Sequence, residues 1–174
     1  AAKGIAGFVN AYVSDGPQEA LRRFSLEGYA GRAAVDVLDA VADAICPDGG
    51  TIDEAIARDA MFEAIADLNA DDLGAFEDLS QEQLSTFLSD VIARSIVTKV
   101  INEIGTNSLH GSASDTDFKR AEEILRDYTG RAVNDALGSD FDAVESLRTT
   151  EIERRIDNVF QDAFDILQVI LEGE

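Results

Sequence analysis

Apolar residues return at three- and four-residue spacings along nearly the whole chain, the periodicity of helices with one buried side. Ile5, Phe8, Val9, Tyr12 and Val13 form the first such run. Asp15-Gly16-Pro17 stops it, because glycine accepts a positive φ and proline opens the next helix well. Residues 17–24 read as a further turn or two, followed by an irregular 25–31 segment whose Leu26 and Tyr29 are expected to turn back into the core. From Arg32, the run Val35, Leu38, Val41, Ala42 and Ile45 predicts a helix closed by Cys46-Pro47-Asp48-Gly49-Gly50. Thr51 and Glu54 have the spacing of a capping box, in which each side chain satisfies a backbone donor of the first turn. Ile52, Ile56, Ile65 and Leu68 are expected to mark the buried side of the helix that follows.

Residues 69–79 read as a polar connection interrupted by Leu73 and Phe76, and Ser80 with Gln83 supplies a second capping box. The clearest element comes next. Leu84, Phe87, Leu88, Val91, Ile92, Ile96, Val100 and Ile104 keep helical spacing until Gly105 offers a left-handed stop. Residues 106–115, rich in Ser, Asn and Gly and containing the sole histidine, His110, read as a surface loop. Phe118, Ile124, Leu125, Tyr128, Val133 and Leu137 mark the next helix, within which Gly130 costs about 1 kcal/mol relative to alanine. Gly138 ends it. After a turn around Phe141 and Val144, Thr150 and Glu153 form a third capping pattern ahead of Ile152, Ile156, Val159, Phe160, Phe164, Leu167, Ile170 and Leu171. No strand-like alternation and no fixed-period repeat occurs, so the expectation is an all-α fold, a compact bundle of six or seven helices in a single domain over residues 1–174.

Composition adds a charge problem to this picture. The chain has 174 residues, is 45% hydrophobic and carries a net charge of -21, so an ordinary core is wrapped in an acidic surface. That field repels phosphate backbones and anionic lipid over roughly 8 Å at physiological salt, which argues against direct nucleic-acid binding. The closest basic pairs, Arg22 with Arg23 and Arg154 with Arg155, are too small for a phosphate-binding stripe. A single cysteine, Cys46, excludes an internal disulfide and suits a reducing cytoplasm. No apolar stretch approaches the roughly 20 residues of a membrane span, and no signal-peptide pattern opens the chain. Apolar periodicity begins almost at Ala1, so the sequence is expected to be the C-terminal part of a longer chain, and its place the cytoplasm.

Candidate chemistry is sparse. The zinc-protease, P-loop and dinucleotide motifs are absent, and the acidic spacing around residues 48–54 does not meet a calcium loop. Gly49-Gly50-Thr51 at a helix start faces Asp48, Asp53 and Glu54, which work against anion binding and leave a cap and turn. Cys46 lacks a neighbouring base or positive field to make it a nucleophile, and His110 with Ser108 or Ser112 lies in one loop rather than in a triad arrangement. Asp36, Asp39 and Asp43, and Glu122, Glu123 and Asp127, fall mostly opposite the apolar stripes and read as solvated faces, and one histidine cannot complete a di-metal bundle. No catalytic residue, cofactor site or metal site is therefore assigned. The C-terminal helix has two readings: Phe160, Phe164, Leu167 and Leu171 close the core or dock a partner.

Gly31-Arg32, Leu21-Arg22-Arg23-Phe24, the block from Ala44-Ile45-Cys46-Pro47-Asp48-Gly49-Gly50-Thr51-Ile52-Asp53-Glu54 through Ala55-Ile56-Ala57-Arg58, then Ile92-Ala93-Arg94-Ser95-Ile96 and Ile104-Gly105-Thr106, together resemble the C-terminal helical region of the QatB family. They span about the first 106 residues; beyond them only helix length and acidity are similar. The resemblance implies a bacterial anti-phage cassette that also encodes an ATPase, a QueC-like enzyme and a TatD-like nuclease. It further implies that the QueC-like component acts on an N-terminal segment not included here. It transfers no catalytic residue.

The resulting expectation is a non-enzymatic platform that docks the QueC-like enzyme. Its candidate partner-binding residues are Cys46, Asp48, Asp53 and Glu54 at the corner, and Phe164 and Leu171 on the last helix. The alternatives are an assembly subunit for the ATPase or nuclease, a carboxylate- or metal-dependent enzyme whose residues converge in the fold, and an acidic decoy occupying a nucleic-acid groove.

Overall fold

The computed structural model describes residues 2–47, 49–68, 74–107, 115–138 and 149–172. Seven α-helices and two 3-10 turns run through them, and among the described residues no strand forms, so the all-α expectation holds. The helices are α1 (Ala2–Asp15), α2 (Pro17–Arg23), α3 (Ala34–Ile45), α4 (Ile52–Asp67), α5 (Gln81–Asn107), α6 (Asp115–Gly138) and α7 (Thr149–Glu172). Their packing falls into two compact units, Ala1–Val91 and Ile92–Glu174, with the division inside α5.

In the first unit, α1 ends where the residues demanded: Gly16 sits at φ 90° and Pro17 occupies the start of α2. Ile5, Phe8, Val9 and Tyr12 are buried along one side of α1. A Cβ at Gly4 would lie 2.6 Å from Ile45 Cγ2, so glycine there permits α1 to approach the end of α3. Leu26 is buried and Tyr29 half-buried, the latter at the end of the 3-10 turn Glu27–Tyr29 with the Arg32 guanidinium 4.8 Å from its ring centroid.

A single antiparallel bridge, Ala33 to Ala75, joins the entry of α3 to the segment before α5. Ala34 N–H donates to the Gly74 carbonyl and Phe76 N–H to that of Arg32, each at 3.1 Å. Phe76, fully buried in the 3-10 turn Phe76–Asp78, packs against Tyr12 edge-on at 5.1 Å between centroids and against Phe8 at 5.9 Å. The connection is thus sewn into the core by one aromatic and two backbone bonds.

α5 keeps the predicted stripe: all eight apolar residues from Leu84 to Ile104 are buried, joined by Ala93 and Val97. Its Ser80–Gln83 capping box forms, with Gln83 N–H donating to Ser80 Oγ at 3.1 Å and Ser80 N–H to Gln83 Oε1 at 2.8 Å. The helix continues two residues past Gly105.

In the second unit, α6 and α7 run antiparallel, since Tyr128 Oη donates to Asp162 at 3.4 Å while Arg155 donates to the Ala136 carbonyl at 2.9 Å. Ala121, Leu125, Thr129 and Val133 form the buried side of α6, and Val159, Ala163 and Leu167 that of α7. Ile124, expected in the core, is 44% exposed because the stripe through Leu125 turns it to the flank. Gly130 is accommodated inside α6 without a break. The loop reading at His110, the turn at Phe141 and Val144, and the side chains of Phe118, Leu137, Thr150 and Glu153 lie outside the described residues.

Candidate functional site

The distinctive α3–α4 sequence block builds a corner. Cys46 caps α3, its N–H donating to the Ala42 carbonyl at 2.9 Å, and its side chain is fully buried. Burial pushes the thiol pKa up, the opposite of what a nucleophilic or metal-binding cysteine needs. Cys46 therefore anchors the corner from inside and presents no surface to a partner. Asp48 lies outside the described residues. Gly49 adopts φ 81°, a conformation that a side chain disfavours.

The turn ends in a complete capping box. Glu54 N–H donates to Thr51 Oγ1 at 3.2 Å, and Thr51 N–H donates back to Glu54 Oε2 at 2.7 Å. These bonds to Thr51, backbone first, hold the Glu54 carboxyl below its ordinary pKa. A Cβ at Gly50 would lie 2.5 Å from Glu54 Oε2, so glycine leaves room for the returning carboxylate. Glu54 is consequently committed to the cap, whereas Asp53 is exposed. Arg58 closes the hairpin with an ion pair to Asp43 on α3 at 2.6 Å, its guanidinium 5.4 Å from the Phe62 ring centroid.

Ile52 departs from expectation. It is 79% exposed, directly after the cap, and Ile56 and Leu68 are only half-buried. Ile65 is buried as expected, and the rest of the buried side of α4 consists of Ala57, Ala60, Met61 and Ala64. Small residues let the helix lie close to its neighbours, and periodicity judged by large side chains selects the wrong side. A run of alanines at three- and four-residue spacing was the signal for the true one.

The three aspartates of α3 lie on its outer side as read, with Asp36 and Asp43 exposed and Asp39 half-buried. Partial burial raises the Asp39 pKa, and the charges of Asp36 and Asp43 add to the shift. On α6, Glu122 and Asp127 pair with Arg126 and Arg131 one turn on, at 2.8 and 2.6 Å. Among the described residues no group of three or more His, Cys, Asp or Glu side chains is placed to hold a metal ion.

The second candidate region lies on α7, in the second unit. Phe164 is half-buried, its ring 6.5 Å from that of Phe160, which in turn lies 5.3 Å from Lys99 Nζ. Leu167 is core, and the side chain of Leu171 lies outside the described residues. Phe164 thus borders the core rather than standing clear of it.

The fold and corner define an all-α acidic protein in which a capped helical turn joins α3 to α4. The family model for the Qat anti-phage system associated protein QatB matches residues 1–167, and the chain belongs to the QatB family. The match includes the α6–α7 region, where little beyond helix length and acidity had suggested it. Neither the curated proteins nor the solved structures yield a match.

Proposed function

We propose that the chain is a non-enzymatic, cytoplasmic protein-binding subunit of its anti-phage system, a folded platform that docks the cassette's QueC-like enzyme. Membership of the QatB family carries the reading, since it places the protein in a multi-component defence system. Two structural features support it. The one cysteine is buried with its thiol pKa raised, and among the described residues the most exposed large apolar side chain, Ile52, stands directly after a hydrogen-bonded helix cap where a partner can reach it. No described helix is long and apolar enough to cross a membrane. The docking enzyme would work on a segment N-terminal to the sequence while held by this domain.

The test is a pull-down with the 174-residue chain as bait and each other cassette product as prey, at low and moderate salt. Retention of the QueC-like protein, weakening as salt rises, is the expected result, because the acidic surface steers a basic partner. Retention of the ATPase or nuclease alone would make the chain an assembly subunit. Retention of none of them would overturn the platform reading.

A further inference from the structure

α4 is apolar on two sides. Its inner stripe, Ala57, Ala60, Met61, Ala64 and Ile65, is buried. With about 3.6 residues per turn, Ile52, Ala55, Phe62 and Ala66 return together on the opposite side. Ile52, Ala55 and Ala66 are exposed, while Phe62 is half-buried beneath the Arg58 guanidinium. The outer side therefore carries an isoleucine and a phenylalanine where most of the inner side carries alanine. A large apolar side chain left 79% exposed at the start of a helix, with further apolar positions along the same side, marks a surface open to a partner.

Charge selects what fits. Residues 34–67 contain nine carboxylates and one basic side chain, Arg58, which is paired with Asp43. Exposed Asp53, Asp59 and Glu63 border or interrupt the outer side. Ile52 and Phe62 stand about 15 Å apart along the axis at 1.5 Å per residue, the length of roughly ten residues of a facing helix. The exposed alanines between and beyond them leave room for another backbone at the 8–10 Å separation typical of packed helices.

The geometry points to the outer side of α4 as the docking surface for an amphipathic helix of a partner protein, one whose apolar stripe is flanked by lysine and arginine. This rests on the protein-binding reading above and gives that reading a location and a partner chemistry. Ile52 is the terminal anchor, Phe62 with its stacked Arg58 the second contact, and the acidic border sets orientation and excludes acidic competitors.

The test compares the wild-type chain with Ile52→Ser, Ala55→Lys and a control, Val169→Ser, which removes another exposed β-branched apolar side chain, from α7, where Val169 is 54% exposed. Binding of each cassette product is titrated, with melting curves to confirm that every variant folds. At least tenfold weaker binding by Ile52→Ser and Ala55→Lys, with Val169→Ser unchanged, is expected. Hydrogen exchange of the bound product should protect a helix with an apolar stripe flanked by lysine and arginine. Wild-type affinity in both α4 variants would overturn the surface while leaving the platform standing. Protection confined to an acidic or non-helical segment would overturn the proposed occupant. Failure of the wild-type chain to bind any cassette product would overturn the platform reading and the surface with it.

Discussion

Tyr12 and Leu79 are 67 positions apart and joined by one hydrogen bond: the tyrosine hydroxyl donates to the Leu79 carbonyl at 2.9 Å, with the Phe76 carbonyl 3.0 Å away. A side chain of the first helix thereby fixes the segment that launches α5. Tyr12→Phe keeps the ring against Phe76 but leaves buried carbonyls without this donor, a loss of about 1–3 kcal/mol. Urea unfolding should show it as a lower midpoint at unchanged slope.

The same bond predicts an alkaline effect. Burial, with Glu77 and Asp78 adding to it, raises the Tyr12 pKa above its ordinary 10.0. The folded state therefore holds the phenolic proton more tightly than the unfolded chain does. The associated stability is complete below pH 10 and is lost as pH rises through the folded value. Melting temperature followed from pH 8 to 11 should fall more steeply for wild type than for Tyr12→Phe; parallel curves would mean that Tyr12 is not the group responsible.

At the α3–α4 corner, Thr51→Ala removes the hydroxyl that accepts from Glu54 N–H. The expected cost is about 1 kcal/mol, as for other N-cap threonines. Glu54 has a folded pKa below its ordinary 4.5, so its contribution is present above that value and is lost as pH falls through the folded one. Glu54→Gln, whose amide oxygen still accepts from Thr51 N–H, should flatten the acid limb of the melting curve. An unaltered acid limb would remove Glu54 as its source.

Both capping boxes that the structure describes in full were legible in the sequence because each is a contact over three residues, independent of tertiary context. The long stripe from Leu84 to Ile104 was legible because large apolar residues alone define it. α4 was not, since its core side is written mainly in alanine and its isoleucines are divided between two sides. Nor were the Tyr12 clasp and the Ala33–Ala75 bridge, which join residues far apart along the chain. At the candidate corner Cys46 is inside, as a helix-end cysteine without a neighbouring base reads, whereas the exposure of Ile52 was not legible because its place in the helical pattern suggested burial.

Asp39 runs opposite to Glu54. Burial and the neighbouring charges of Asp36 and Asp43 raise its pKa above the ordinary 3.8, so ionising it in the folded protein opposes stability. Asp39→Asn should raise the melting temperature at pH 7, and the advantage should fade as pH falls below 3.8, where Asp39 is protonated in both states. An equal gain at both pH values would assign the effect to packing or helix propensity rather than charge.

Thr129 lies in the buried stripe of α6, fully enclosed, and its Oγ1 has no hydrogen-bond partner among the described residues. A hydroxyl taken out of water without replacement costs roughly 1–3 kcal/mol by mutational measures. Valine has nearly the same shape and replaces that hydroxyl by a methyl group suited to a core of Leu125, Val133 and Ala163. Thr129→Val should therefore stabilise the protein by about 1 kcal/mol in urea unfolding. Thr129→Ala also removes the hydroxyl but leaves a gap where the threonine methyl had packed, so it should fall below the valine variant. If valine destabilises instead, the hydroxyl has a partner in the folded protein, and an ordered water within this stripe becomes the explanation to pursue by high-resolution diffraction.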